Sequence, residues 1–245
     1  MAIIVITGAG AGLGRALARR FAADGETVVL LGRTFAKLEA LAAELAPRAA
    51  AIACDVASPD SVRTAFAAIA AIHPRIDVLI NNAAVFQPFT LAEATDAQIL
   101  NTIGINLTGT ILCTRAALKL LGPGGHILNL SSESVAINFP HLSLYQASKA
   151  AVEHFTHSMH QELEPAGIRV TLVRAGQMME PGKVWDADPA AQMRFAEAAM
   201  AAGLNLLERP ISQYEAVTNV FRALIDLPAD VHASSISLHA RKSAP

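Results

Sequence analysis

The stretch Ile3–Gly14, IIVITGAGAGLG, decides the fold. Ile3–Thr7 is an unbroken, mostly β-branched apolar run, the pattern of a strand buried on both faces. Thr7–Gly14 is rich in glycine, and Gly12–Ala23 reads as a helix. A strand, a glycine turn and a helix in immediate succession open a βαβ unit. The spacing G-x-G-x-x-G does not fit, because its third glycine would fall on Leu13 counted from Gly8, or on Arg15 counted from Gly10. The spacing that fits is G-x-x-x-G-x-G, on Gly8, Gly12 and Gly14. Glycines there permit a tight turn and a close backbone approach, and the helix N-terminus then faces a pyrophosphate. The plain alternative is a glycine-rich connection with no ligand.

Outward from this unit the same rhythm repeats. Strands are expected at Thr27–Leu31, Ala50–Cys54, Asp77–Asn81, His126–Ser131, Arg169–Val173 and Ser234–Leu238. Helices are expected over Thr34–Ala46, after Ser58-Pro59, after a Thr95-x-x-Gln98 capping box, over Tyr145–Glu164, and from Asp188-Pro189 and Ser212-x-x-Glu215. Such alternation predicts an α/β fold: a doubly wound, Rossmann-type parallel sheet of about seven strands with helices on both faces. No break interrupts it, so residues 1–245 form a single domain. Ligands of such sheets bind beyond the carboxyl ends of the strands.

Composition narrows the function. The chain of 245 residues is 53% hydrophobic, enough for a large core, and carries a formal net charge of −2. The lack of basic excess argues against nucleic acid. No stretch reaches the length of a membrane span, and the apolar run at the N-terminus is too short for a signal peptide. Cys54 and Cys113 have neither metal-ligand nor redox spacing and read as core thiols of a cytoplasmic protein; no metal site is expected.

The strand ends carry the chemistry. After the second strand comes Gly32-Arg33-Thr34. A carboxylate at this point would bind adenosine ribose hydroxyls and favour NAD. Arg33 instead favours NADP, by pairing with a 2′-phosphate, or else it stacks on adenine or faces solvent. Asp55, after the third strand, either accepts from the adenine amino group or caps the turn into Ser58-Pro59. After the fourth strand, Asn81–Ala84 combines turn-forming asparagines with small residues that let a cofactor pass. Asn106 lies within the next helix, where it is either tolerated or holds a kink and an ordered water. Ser131 and Ser132 end the fifth strand and gain meaning beside Tyr145.

Tyr145 and Lys149 are four apart and share one helix face. Alone, the pair reads as a half-buried phenol and an exposed amine. A catalytic phenol must bring its pKa from about 10 to about 7, which takes roughly 4 kcal/mol. A lysine charge at about 4 Å supplies on the order of 4 kcal/mol at an effective dielectric near 20.

The pieces TGAGAGLG, CDV, NNAA, Asn106 in INLTGT, LNLSS, YQASK and Ala175-Gly176 run in order from Thr7 to Gly176. Together they resemble the short-chain dehydrogenase/reductase family. The resemblance implies a Ser–Tyr–Lys mechanism aided by an asparagine. Tyr145 is general acid in reduction and general base in oxidation. Ser132 orients and polarises the substrate oxygen, Lys149 lowers the tyrosine pKa and holds the nicotinamide ribose, and Asn106 anchors a water. It also implies cofactor contacts from Gly8, Gly12, Leu13, Gly14, Arg33, Asp55, Val56, Asn82, Ala83, Tyr145, Lys149 and Gly176, with Asn81 supporting that side. NADP(H) is favoured over NAD(H), and a homodimer or homotetramer is the family habit, through helices such as Asn101–Leu121 and Tyr145–Glu164. The sequence departs from the pattern at Ala84, at Ala175 where proline is usual, at Glu180 where a threonine often contacts the nicotinamide amide, and in the missing glycine-rich C-terminal motif.

The segment 177–207 is expected to cover the site, and its Met178, Met179, Trp185, Met193 and Phe195 point to a largely apolar alcohol or ketone. Glu133, His141 and Glu180 either sit at the surface or line the pocket mouth. The expected activity is NADP(H)-dependent hydride transfer between nicotinamide and a secondary alcohol or ketone. A non-catalytic NADP(H) sensor and a lyase or epimerase on the same scaffold are the alternatives.

Overall fold

The computed structural model describes residues 1–179 and 188–242. Strands β1 (Ile3–Thr7), β2 (Thr27–Gly32), β3 (Ala49–Ala53), β4 (Val78–Asn81), β5 (His126–Ser132), β6 (Arg169–Ala175), β7 (Met178–Met179), β8 (Ser212–Gln213) and β9 (Ser235–Ser237) alternate with eight α-helices. These are α1 (Gly12–Ala23), α2 (Phe35–Glu44), α3 (Pro59–Ile72), α4 (Asp96–Ile103), α5 (Gly109–Ala117), α6 (Ser143–Leu163), α7 (Pro189–Ala201) and α8 (Tyr214–Ile225). Seven strands form one parallel sheet in the order β3-β2-β1-β4-β5-β6-β9. The order reverses between β1 and β4, which opens a crevice beyond their carboxyl ends.

Both faces of the sheet are covered, which is why β1 is apolar at each position from Ile3 to Ile6 rather than at alternate ones. Ile4 and Ile6 pack with Leu17, Phe21 and Phe221 under α1 and α8. Val5 faces the other way, onto Phe66, Ile69 and Cys113 from α3 and α5. Phe21 and Phe221 have no exposed surface, so truncating either to alanine would cost about 3–5 kcal/mol.

Three of the four helix starts expected from a capping residue are realised by side-chain caps. The Ser58 hydroxyl accepts from Ser61 N, Asp188 Oδ2 accepts from Ala191 N, and Thr95 and Gln98 close a reciprocal capping box. Ser212 is an exception. It was expected to cap a helix but pairs with Met178 in the two-stranded β7–β8 ladder, its N–H donating to Gln177 O at 3.0 Å, and α8 starts at Tyr214 instead. The helix expected as continuous over Asn101–Leu121 is interrupted by a wide π-type turn at Gly104–Thr108.

A buried polar chain crosses the centre of the sheet. Asn81 Nδ2 donates to Asn129 Oδ1 at 2.8 Å and to Thr114 Oγ1 at 3.0 Å, and Asn129 Nδ2 donates to Thr156 Oγ1 at 3.0 Å. Asn81 and Asn129 are register partners on β4 and β5. Asn81 therefore braces β4 against β5 and α5.

Candidate active site

The turn between β1 and α1 has the conformation its glycines allow. Gly8 and Gly12 take φ values of +67° and +54°, in the left-handed region. A Cβ on Gly14 would lie 2.4 Å from Gly8 O and 2.6 Å from Asn82 Nδ2. Asn82 ties the turn to the end of β4. Its Nδ2 donates to Thr7 O at 2.9 Å and Gly8 O at 3.3 Å, while Asn82 N and Ala83 N both donate to Thr7 Oγ1 at 3.0 Å. This close-packed, side-chain-free turn at a helix N-terminus fits a dinucleotide pyrophosphate. Gly8, Gly12, Leu13, Asn82, Ala83 and Gly176 all line a cleft of about 610 Å³. Gly176 is itself confined, since a Cβ there would lie 2.4 Å from Leu238 O of the chain leaving β9.

A smaller hollow of about 130 Å³ shares Gly8, Ala83 and Ala84 with the cleft and is lined by Arg33, Cys54, Asp55 and Val56. Arg33 is exposed at its rim, with no hydrogen bond or ion pair to the described residues. Asp55 Oδ1 accepts from Ala57 N at 3.0 Å, so it caps the turn into α3 while bordering the hollow. Cys54 and Cys113 are buried, free and in contact. The Cys113 thiol lowers the Cys54 thiol pKa, and Cys54 together with burial raises Cys113.

At the other end of the cleft, Ser132 and Tyr145 line the wall together, and the Ser132 hydroxyl pulls the Tyr145 pKa down. Ser132 Oγ also accepts from Ser134 N at 3.2 Å and Ser134 Oγ at 3.0 Å. Ser131 turns the other way. Its hydroxyl donates to Glu153 Oε1 at 2.7 Å, within an ion pair that Glu153 makes with Arg174. Burial would raise Glu153, but hydrogen bonds from Arg174 and Ser131 hold its carboxyl below the usual range. Alternation along β5 thus separates the two serines, and the second is the one beside the phenol.

Lys149 is 4% exposed, and its Nζ donates to Leu130 O at 2.8 Å. It stands 6.0 Å from the Tyr145 ring centroid. Burial brings its pKa down to about 8. The Tyr145 pKa is raised by burial, against the pull of the Ser132 hydroxyl. The Lys149 ammonium is turned onto the Leu130 carbonyl. Asn106 is fully buried in the π-type turn. Its Oδ1 accepts from Val85 N at 2.8 Å, and its Nδ2 donates to Val85 O and Ser148 Oγ at 3.1 Å each. The Ser148 hydroxyl donates to Tyr145 O at 2.7 Å. Asn106 thereby joins the chain after β4 to the backbone of α6.

Past Tyr145 the cleft is aromatic. The Phe86 and Tyr145 rings meet edge-on at 4.9 Å, Phe86 and Phe195 edge-on at 6.4 Å, and Phe139 and Phe195 tilted at 6.4 Å. Phe195, at 5% exposed, fills the place expected of it, whereas Met193 is 63% exposed and faces away. Glu133 is buried rather than at the surface, paired with Arg209 at 2.5 Å. His141 lies outside the lining, in left-handed backbone at φ +60°. Glu180 and Trp185 lie outside the described residues. Sequence reasoning missed Phe86, Phe139 and Arg209. Phe86 stands two residues past Ala84 at a strand end, and that position was its one signal.

Among the described residues, no helix is long and apolar enough to cross a membrane, and no group of three or more His, Cys, Asp or Glu could hold a metal ion. A family model described as short chain dehydrogenase matches residues 2–184. A sulfoacetaldehyde reductase of Chromohalobacter salexigens is 39% identical over 179 residues, 71% of each chain. The closed form of a serine dehydrogenase complexed with NADP+ superposes with a TM-score of 0.82 at 26% identity, covering 99% of this chain and 97% of that one. A short chain dehydrogenase from Burkholderia cenocepacia J2315, solved in complex with NADP, gives 0.81 at 27% identity over 96% and 95% of the two chains. With this fold and these matches, the chain belongs to the short-chain dehydrogenase/reductase family of oxidoreductases.

Proposed function

We propose that the protein is an NADP(H)-dependent oxidoreductase acting on a secondary alcohol or ketone through Ser132, Tyr145 and Lys149. The observation that carries this reading is that Ser132 and Tyr145 line one wall of a cleft whose other end is the glycine turn. Gly8, Gly12, Leu13 and Gly14 would hold the pyrophosphate, Asp55 and Val56 the adenine, Arg33 the 2′-phosphate, and Asn82, Ala83, Lys149 and Gly176 the nicotinamide half. Bound there, the reduced nicotinamide supplies a hydride to the carbonyl carbon. Ser132 orients the carbonyl oxygen, and Tyr145, kept protonated by burial, gives that oxygen its proton. The ketone thus gains a hydride and a proton and becomes the alcohol; in oxidation Tyr145 takes the proton back. Lys149, charged at neutral pH, favours the phenolate left after each transfer. Asn106 is a positioning residue that steadies α6 at Tyr145 through Ser148.

Following NADPH absorbance with a panel of ketones tests the reading. Tyr145→Phe is expected to lower turnover about 10²–10⁴-fold while NADPH still binds. Undiminished turnover would overturn the mechanism. Arg33→Ala is expected to weaken NADPH by about tenfold or more and to leave NADH nearly unchanged, since only the former carries the 2′-phosphate. Equal losses, measured by titration of both cofactors, would remove Arg33 from that role.

A further inference from the structure

The proposed chemistry leaves the substrate open, and the walls beyond Tyr145 narrow it. Three phenylalanines reach one place from separate segments: Phe86 after β4, Phe139 after β5 and Phe195 on α7. The Phe86 edge rests on the ring of Tyr145 itself, so the aromatic wall begins beside the hydroxyl that would protonate the substrate. Glu133 is the one charged side chain lining the cleft among the described residues. Arg209 answers it at 2.5 Å, lies 5.2 Å over the Phe139 ring, and reaches Gln177 Oε1 at 3.4 Å. Lys149 is turned onto Leu130 O. Among the described residues the lining thus presents aromatic edges and faces and a neutralised ion pair, with no uncommitted cation.

We infer that the substrate is an uncharged ketone, or the matching secondary alcohol, whose carbonyl carries an aryl or similarly flat apolar group. This rests on the Ser132–Tyr145 site being the reaction centre. A flat ring fits against Phe86, Phe139 and Phe195 in offset or edge-on contact. Against the described walls, a sulfonate or carboxylate would have to lose its hydration beside Glu133 with no free cation among the described residues to answer it, which is unfavourable. The chain therefore discriminates against small charged substrates such as those for which its sulfoacetaldehyde reductase and serine dehydrogenase relatives are named.

The test compares acetophenone, 2-butanone and sulfoacetaldehyde as oxidants of NADPH, by kcat/KM, in the full chain. Acetophenone is expected to exceed sulfoacetaldehyde at least tenfold. Phe195→Ala and the half-buried Phe139→Ala are each expected to lower the acetophenone to 2-butanone ratio about tenfold. Sulfoacetaldehyde matching acetophenone, or a ratio unmoved in both folded variants, overturns the inference. Should NADPH be oxidised by none of the three, the oxidoreductase reading fails, and ligand-observed NMR decides the inference by itself. Saturable acetophenone binding that Phe139→Ala weakens would sustain it, and absence of binding, or binding the variant leaves intact, would overturn it.

Discussion

Lys149 is a buried ammonium whose hydrogen bond to Leu130 O only partly replaces its hydration, and its pKa falls from 10.5 to about 8. Below pH about 8 the lysine is charged in both the folded and unfolded chains, and the folded chain bears the cost of burying it. Between about 8 and 10.5 the unfolded chain keeps a proton that the folded chain has released, so stability rises with pH across that window. The full rise is about 3 kcal/mol, at about 1.4 kcal/mol per unit. Lys149→Met is expected to flatten this alkaline limb in denaturant titrations, to leave the protein at least as stable at pH 7, and to abolish turnover. A variant less stable at pH 7 would mean that the Leu130 bond outweighs burial. The i, i+4 spacing of Tyr145 and Lys149 was readable from the residues, whereas the choice of Ser132 over Ser131 came only with the family resemblance. The direction of the lysine was not readable, because the acceptor it finds, Leu130 O, belongs to a strand brought near only by folding.

Among the elements, the turn into α1 leaves least room. A methyl group on Gly14 would press on Gly8 O and Asn82 Nδ2, and the backbone oxygen cannot swing aside as a flexible side-chain tip could. Gly14→Ala is expected to cost about 1–3 kcal/mol of stability and to weaken NADPH binding with it. Thermal melts with and without cofactor check this, and an unchanged Tm in both would contradict the packing. Most element boundaries were legible to within a residue or two, since Ser58, Thr95 and Asp188 cap their helices locally. Ser212 misled because its backbone is recruited by Gln177, far away in sequence. The π-type turn around Asn106 had no local signature beyond a polar residue in mid-helix, and the pairing with Val85 and Ser148 that accompanies it is tertiary.

At the scale of the whole molecule, the sheet carries a titrating group that opposes acid. His126, 1% exposed on β5, holds Thr171 Oγ1 at 2.8 Å, and its pKa is lowered to about 3 by burial, with Arg169 and His232 adding to the effect. Between about pH 3 and 6.5 the unfolded chain takes up a proton that the folded chain refuses, so stability is lost as pH falls through that window. From pH 6.5 to 5 this amounts to about 2 kcal/mol. His126→Gln is expected to lose that much less than the wild type over the same interval in urea titrations; equal losses would place the acid sensitivity elsewhere. The parallel sheet was legible as a whole because its central strands are largely apolar on both faces and strands β1 to β5 are each followed by a helix. The aromatic end of the cleft was not, because Phe86, Phe139 and Phe195 share no periodicity and are assembled by three separate crossovers. The Asn81–Asn129 pair has a consequence for descent. Asn81 Nδ2 donates to Asn129 Oδ1 across β4 and β5, so replacing one alone strands a buried polar group next to the strands that carry the site. Substitutions there should be accepted jointly or not at all, so in lineages of this chain the two positions should change together.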